Sequence, residues 1–189
     1  MSIGTVAVRY AKALLAYAVE KGRQDEVYSQ MQLLSRRLVQ YPDIMGRIAD
    51  PTVPDEPKCR LLFAAMMSDD GSPACDVMED FVRLVVRAGR GEALPFMASS
   101  YRDMYRRKYN VVPVEMTVAH HLNDSQRAEL EVIIRRNAKS DRIEWNESVR
   151  PELLGGFMLQ IDDYRLDASV ARKLRIVEKE LIEKNSRII

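Results

Sequence analysis

Two histidines, His120 and His121, and two cysteines, Cys59 and Cys75, are the side chains in this 189-residue chain best suited to bind a metal or act as a nucleophile. A zinc site needs three or four such ligands converging on one point. Adjacent histidines at the end of a strand point to opposite faces, so they do not readily share a metal. No HExxH motif and no cysteine cluster accompanies them, and they read as two solvated surface side chains. Each cysteine lies beside apolar helical sequence, and both read as unpaired thiols in a reducing compartment. No metal and no cofactor is expected.

Glycine and aspartate offer little more. Gly89-Arg90-Gly91 and Gly155-Gly156 match neither GxxxxGK[ST] nor GxGxxG, and neither stands between a strand and a following helix. Gly89 and Gly91 read as helix-stop and turn residues. Gly155-Gly156 reads as a bulge or a close backbone approach at the start of a strand. Asp162 and Asp163 are adjacent carboxylates at a turn. No second acidic pair is spaced to complete a glycosidase-like or two-metal arrangement. No catalytic residue is assigned.

One run has the composition of a binding surface. Tyr101-Arg102-Asp103-Met104-Tyr105-Arg106-Arg107-Lys108-Tyr109 interleaves basic and aromatic residues, as surfaces that track single-stranded nucleic acid do. On a helix Tyr101, Met104, Tyr105 and Lys108 share a side, while Arg102, Arg106 and Arg107 lean elsewhere. Cations near a helix C-terminus also interact favourably with its dipole, by about 0.3–1 kcal/mol. Helix-ending charge, a protein or lipid contact, and RNA binding through Arg106, Arg107 and Lys108 all remain open for this run. The whole-chain balance weighs against nucleic acid, because 29 Lys+Arg against 28 Asp+Glu leave a formal charge of +1 rather than a basic excess.

The elements that carry these residues fall into two groups. The first ~108 residues show helical periodicity throughout. Val6, Tyr10, Ala13, Leu14 and Tyr17 share one face of a first helix, with Thr5 as its cap and Gly22 as its stop. Val27, Met31, Leu34 and Leu38 mark a second helix, closing before Pro42, and a short turn follows around Ile44 to Ile48. Residues 50–57 form a proline-punctuated connector. A fourth helix, Lys58 to Met67, is apolar almost all round, which predicts burial. A fifth bears Val77, Phe81, Leu84, Val85 and Ala88. A sixth, Ala93 to Lys108, turns Leu94, Met97, Tyr101 and Met104 inward. The period then changes from helical to two. Val112, Val114, Met116 and Val118 alternate with polar residues, predicting a half-buried strand that Pro113 places at an edge or near a strand start. A helix from Asp124 or Ser125 through Leu130, Ile133 and Ile134 follows. Strands then come at Arg142–Glu147 and from Leu154 to Ile161, before a last helix with Val170, Leu174, Val177 and Leu181. The expected fold is α+β: an N-terminal six-helix bundle over 1–108 and a small C-terminal α/β domain over 109–189.

Helices one and five carry wide apolar stripes, with small residues at Ala7, Ala11 and Ala18. Alanines beside larger side chains suit a groove that receives an amphipathic helix; equally, both helices are simply central in the bundle. Hydrophobic residues at 47% and charged residues at 30% are ordinary for a globular protein. No run approaches 18 apolar residues, so no membrane span is expected. The first residues resemble neither a secretory signal nor a transit peptide.

Three motifs in order carry a family resemblance. Arg9-Tyr10-Ala11-Lys12-Ala13-Leu14 resembles the RYAxAL opening of the delta subunits of rotary F-type ATP synthases, a family that includes the mitochondrial oligomycin-sensitivity-conferring protein. Gly89-Arg90 with Leu94-Pro95 resembles the family's GR…LP junction. Leu154-Gly155-Gly156-Phe157 through Asp163, followed by Leu166-Asp167-Ala168-Ser169-Val170 and Leu174, resembles its GG-strand, D-turn, D-x-S-[VIL] and Leu-rich helix signature. The likeness spans essentially the whole chain. The connector matches the family's NP-x-[IV]-x-x-x-x-K only loosely, with Asp50 before it and Lys58 after, and the Asp69–Cys75 loop has no assignable counterpart.

The resemblance implies a non-catalytic stator, or peripheral stalk, subunit of the proton-translocating enzyme. Its first domain would hold the N-terminal helix of an alpha subunit in the alpha/beta head, between helices one and five. By position the site would be Tyr10, Ala11, Leu14, Tyr17, Phe81, Leu84, Val85 and Ala88, some of which must face the core. Its second domain would grip the C-terminal end of the b subunits, with Val170, Leu174, Val177 and Leu181 nominated. Such a protein would sit on the cytoplasmic side of a bacterial inner membrane, held there only through partners. A helical RNA-binding regulator is the alternative.

Overall fold

The computed structural model describes residues 3–68, 71–138, 140, 142–161 and 164–185, without the side chains of 133, 136–138, 180, 181 and 183–185. The Asp162-Asp163 turn and part of the Asp69–Cys75 loop therefore lie outside the described residues. The chain is α+β, with a helical N-terminal part and a four-stranded sheet. It divides into two compact units, 1–108 and 109–189. Among the described residues no helix is long and apolar enough to cross a membrane.

The first unit is built from α1 (Ile3–Glu20), α2 (Gln24–Gln40), α3 (Asp43–Ala49), α4 (Asp55–Met66), α5 (Asp76–Arg87) and, after a 3₁₀ turn at Gly91–Ala93, α6 (Leu94–Tyr109). The four-three-four spacing of Val27, Met31, Leu34 and Leu38 buries all four on one face of α2. Each is worth about 1.5–3 kcal/mol on full burial. α2 packs against α4, and α4 against α5; Arg37 Nη1 donates to the Ala64 carbonyl at 3.0 Å across the first of these contacts.

Several expectations need correction. α1 begins at Ile3, so Thr5 lies inside its first turn rather than capping it. α4 begins at Asp55, three residues earlier than read, with Pro54 as N-cap and Pro57 in its first turn. Proline is tolerated there because the first amides of a helix have no partner within it. The connector before it is tied by Asp50, whose Oδ1 accepts the amide (2.8 Å) and the hydroxyl (2.7 Å) of Thr52. α4 is not buried all round: Cys59, Leu62, Ala65 and Met66 face inward, while Arg60 and Ala64 are exposed. On α6 the inward position is Tyr105 rather than Met104. Tyr105 stacks on Tyr28 with ring centroids 4.0 Å apart and donates its hydroxyl to Asp25.

The second unit pairs β1 (Val111–Val118), β2 (Arg142–Val149), β3 (Phe157–Ile161) and β4 (Tyr164–Asp167) in the order β2-β1-β3-β4. β1 and β2 are parallel; β1–β3 and β3–β4 are antiparallel. The parallel pair requires a crossover, which α7 (Asp124–Ala138) supplies. Val112, Val114, Met116 and Val118 are buried as the alternation predicted. Val112 and Val114 meet Ile134 of α7, with Ile143, Trp145, Leu159 and Ile161 around them. β1 is an inner strand, not an edge; Pro113 is accommodated near its start, in the stretch paired with β2 alone.

α8 (Val170–Asn185) closes the unit, and its start is locked to the beginning of β3. Gly156 has φ +73°, and a Cβ there would stand 2.3 Å from the Ala168 carbonyl oxygen, so only glycine permits this approach. Ala168 N–H donates to the Phe157 carbonyl (2.9 Å) and Val170 N–H to the Gly155 carbonyl (3.0 Å). The close backbone approach expected of Gly155-Gly156 is what places α8.

Candidate functional site

A cleft of about 460 Å³ opens between α1 and α5, lined by Arg9, Tyr10, Ala13, Leu14, Tyr17, Asp80, Phe81 and Leu84. Its second wall is set by contacts made elsewhere in the unit. Buried Gln30 of α2 accepts the Cys75 amide (3.1 Å) and donates to the Pro73 carbonyl (3.3 Å), pinning the residues before α5. At the other end Gly89, with φ +63°, turns the chain out of the helix; its amide bonds to the Val86 carbonyl (2.9 Å) and that of Arg90 to the Val85 carbonyl (3.0 Å). This is the paired C-terminal bond of a Schellman motif.

The floor is already dry. Leu14 and Phe81 are 3% and 5% exposed, whereas Leu84 on the rim is 57% exposed; Tyr10 and Tyr17 are half-buried and Ala13 is exposed. Tyr17 donates its hydroxyl to Asp80 Oδ2 at 3.0 Å. That bond, desolvation and the fields of Asp80, Asp76 and Glu20 raise the phenol above its ordinary value. An open apolar slot with a few polar groups at its edges is suited to hold an amphipathic helix. It holds no arrangement of acid, base and nucleophile.

Five of the eight residues nominated for this face come together here: Tyr10, Leu14, Tyr17, Phe81 and Leu84. Three do not. Ala11 and Val85 are wholly buried in the core and have no surface to offer. Ala88 is exposed, but caps α5 outside the cleft. Ala7, Ala11 and Ala18 likewise have no exposed surface. These alanines do not open the groove; their small size permits close packing on the core-facing side of α1, which adjoins the cleft-facing one. Arg9, Ala13 and Asp80 were not among the nominated residues. The one available signal was helical position: Ala13 lies between Tyr10 and Tyr17 on the same helical face, and Asp80 is one turn before Leu84.

In the second unit Val170, Leu174 and Val177 are all exposed on α8. The side chain of Leu181 lies outside the described residues. Tyr164 and Leu166 of β4, directly opposite Ile161 and Leu159 of β3, add further exposed apolar surface. The D-x-S motif is structural: Asp167 Oδ1 accepts the Ser169 amide (3.0 Å), and the Ser169 hydroxyl accepts that of Arg172 (3.2 Å) as an N-cap.

The other candidates resolve as well. Tyr101 and Tyr105 are buried, Tyr101 donates to the Gln24 carbonyl (3.2 Å), and Arg106 Nε donates to the Tyr28 hydroxyl (2.9 Å). These rings are core, not a platform for bases. His120 and His121 are exposed, with His121 Nδ1 3.2 Å from Glu147 Oε1. Cys59 and Cys75 are buried free thiols, both pushed up in pKa by desolvation. Among the described residues no three His, Cys, Asp or Glu side chains form a group that could hold a metal.

Comparison with known proteins agrees with this architecture along the whole chain. The profile of the ATP synthase delta (OSCP) subunit family matches residues 6–181. The ATP synthase subunit delta of Phocaeicola vulgatus is 34% identical over 189 residues, covering 100% of both chains. That of Parabacteroides distasonis is 35% identical over 183 residues, covering 97% of this chain and 99% of the relative. That of Moorella thermoacetica is 34% identical, covering 96% and 98%. A chain of the Toxoplasma gondii mitochondrial ATP synthase hexamer shares the fold at a TM-score of 0.63, with 17% identity over 93% of this chain and 97% of that one. With the profile and the full-length relatives in agreement, the chain belongs to the ATP synthase delta (OSCP) subunit family.

Proposed function

We propose that this chain is a non-catalytic peripheral-stalk subunit that braces the alpha/beta head of an F-type ATP synthase against rotor torque. The six helices of residues 1–108 act as one bundle that holds an alpha-subunit N-terminal helix in the α1–α5 cleft. The unit of residues 109–189 grips the C-terminal end of the b subunits through Val170, Leu174, Val177 and Leu181 on α8, and the exposed Tyr164 and Leu166 of β4 offer further apolar surface. The protein reaches the cytoplasmic face of a bacterial inner membrane through these partners. The observation that carries the reading is the open apolar cleft with Leu84 standing exposed on its rim.

Magnitudes suit a brace. Burying three or four large apolar side chains in full would bring about 5–12 kcal/mol. Leu14 and Phe81 are already covered, so the gain falls toward the lower end, and association removes several kcal/mol. A micromolar contact results, which effective concentration within the complex strengthens.

Calorimetric titration of the full chain with the alpha-subunit N-terminal peptide tests this. Leu84→Asp suits the test better than a change at buried Phe81, because an exposed side chain can be altered without emptying the core. It should weaken binding by about 2 kcal/mol, roughly thirtyfold, with an unchanged helical spectrum. Equal affinity for both proteins, or no binding by either, counts against the cleft.

A further inference from the structure

The cleft is apolar along its floor and charged at its ends, with opposite signs. Tyr17 and Asp80 are bonded at one end. From that bond the lining residues of α1 run back through Leu14, Ala13 and Tyr10 to Arg9, while those of α5 run forward through Phe81 to Leu84. The two walls are therefore antiparallel. Arg9 precedes Tyr17 by eight residues, about 12 Å at 1.5 Å per residue. Asp76 and Glu20 join Asp80 in acting on the Tyr17 phenol, so three carboxylates gather at one end. Two cations lie near this end: Lys21, 5.6 Å from the Tyr17 ring centroid, and Arg23, which interacts with Asp76; Asp80 is the carboxylate that lines the cleft itself.

A uniformly greasy slot would accept an amphipathic helix in either direction and in several registers. Fixed charges at its ends penalise all but one of these, because a like-charged pair repels where its mirror attracts. Resting on the reading of the cleft as a helix site, we propose that it selects an amphipathic helix with a basic side chain beside its apolar stripe to meet Asp80. An acidic side chain seven or eight residues away meets Arg9. Apolar contact then supplies the affinity, and the two charges set direction and register. Asp80 and Arg9 are the specificity-determining residues.

The test uses the full chain and two peptides, the alpha-subunit N-terminal helix and a version with the acidic and basic residues flanking its stripe exchanged. Arg9→Glu and Asp80→Lys should each weaken the native peptide about three- to tenfold at low salt. Asp80→Asn, which removes charge and keeps shape, should fall between wild type and Asp80→Lys. The double reversal R9E/D80K should prefer the exchanged peptide. All these preferences should shrink at about 0.5 M salt, where charges are screened within a few ångströms. Equal affinity of wild type and the double reversal for both peptides would overturn the charge rule and leave the cleft occupied. Failure of the wild type to bind either peptide would overturn the occupancy, and the rule with it.

Discussion

Asp167 shows how a motif residue can be mistaken for a reactive one. Its carboxylate accepts the Ser169 amide, and hydrogen bonding to the Ser169 side chain, then to that amide, with the nearby Arg172 and Arg165, lowers its pKa below the ordinary 3.8. A carboxyl whose pKa is depressed by folding stabilises the protein above its unfolded pKa. The contribution is lost as the pH falls through the folded value. Asp167→Asn should therefore cost stability at pH 7, and its difference from wild type should fade once the pH drops below 3.8. Urea unfolding of the pair at pH 7 and pH 2.5 checks this, and a difference unchanged between the two would contradict it. The cleft teaches a related lesson at the same scale. Ala11 lies beside Tyr10 in sequence yet faces the core, because one residue turns a helix by about 100°. Leu84 and Val85 differ in the same way.

At the scale of elements, the ends of helices were the least legible in the sequence. α7 begins with a box: Asn123 Oδ1 accepts the Gln126 amide (2.8 Å) while Gln126 Oε1 accepts the Asn123 amide (3.1 Å). This reciprocal pattern satisfies two amides that the helix cannot, and places its first helical residue at Asp124. α7 buries Ile134 against β1, so weakening its start loosens the cover of the sheet. Asn123→Ala should cost about 1 kcal/mol, read as a lower denaturant midpoint with an unchanged slope. The start of α7 was read correctly at Asp124, whereas the start of α4 was missed: Pro57 reads as a breaker, but a first-turn proline breaks nothing.

Over the whole molecule, the division at residue 108 coincides with the change from helical to alternating periodicity. The core of the first unit, from Val6 and Leu14 through Met31, Leu62 and Met78 to Met97 and Tyr101, is assembled from α1, α2, α4, α5 and α6 of its own segment. Residues 1–108 produced alone should therefore unfold cooperatively and bind the alpha-subunit peptide within about a factor of two of the full chain. A fragment without a cooperative transition would mean that the first unit depends on residues beyond 108.

Periodicity determined most of the elements, because burial of an apolar stripe leaves its spacing in the chain: four-three-four on α2, every second residue on β1; it did not give β4, and it began β3 at Leu154 rather than Phe157. The ordered motifs carried the family, and Gly156 carried a close approach that no other residue permits. Tertiary structure decided which half of each wide stripe is core and which is cleft. Ala11 and Leu14 are both apolar, and only the placement of α5 beside α1 leaves one sealed and the other at the base of an open slot. The pairing of Tyr17 with Asp80, 63 positions apart, was likewise invisible in the sequence, since a contact between distant residues leaves no local pattern.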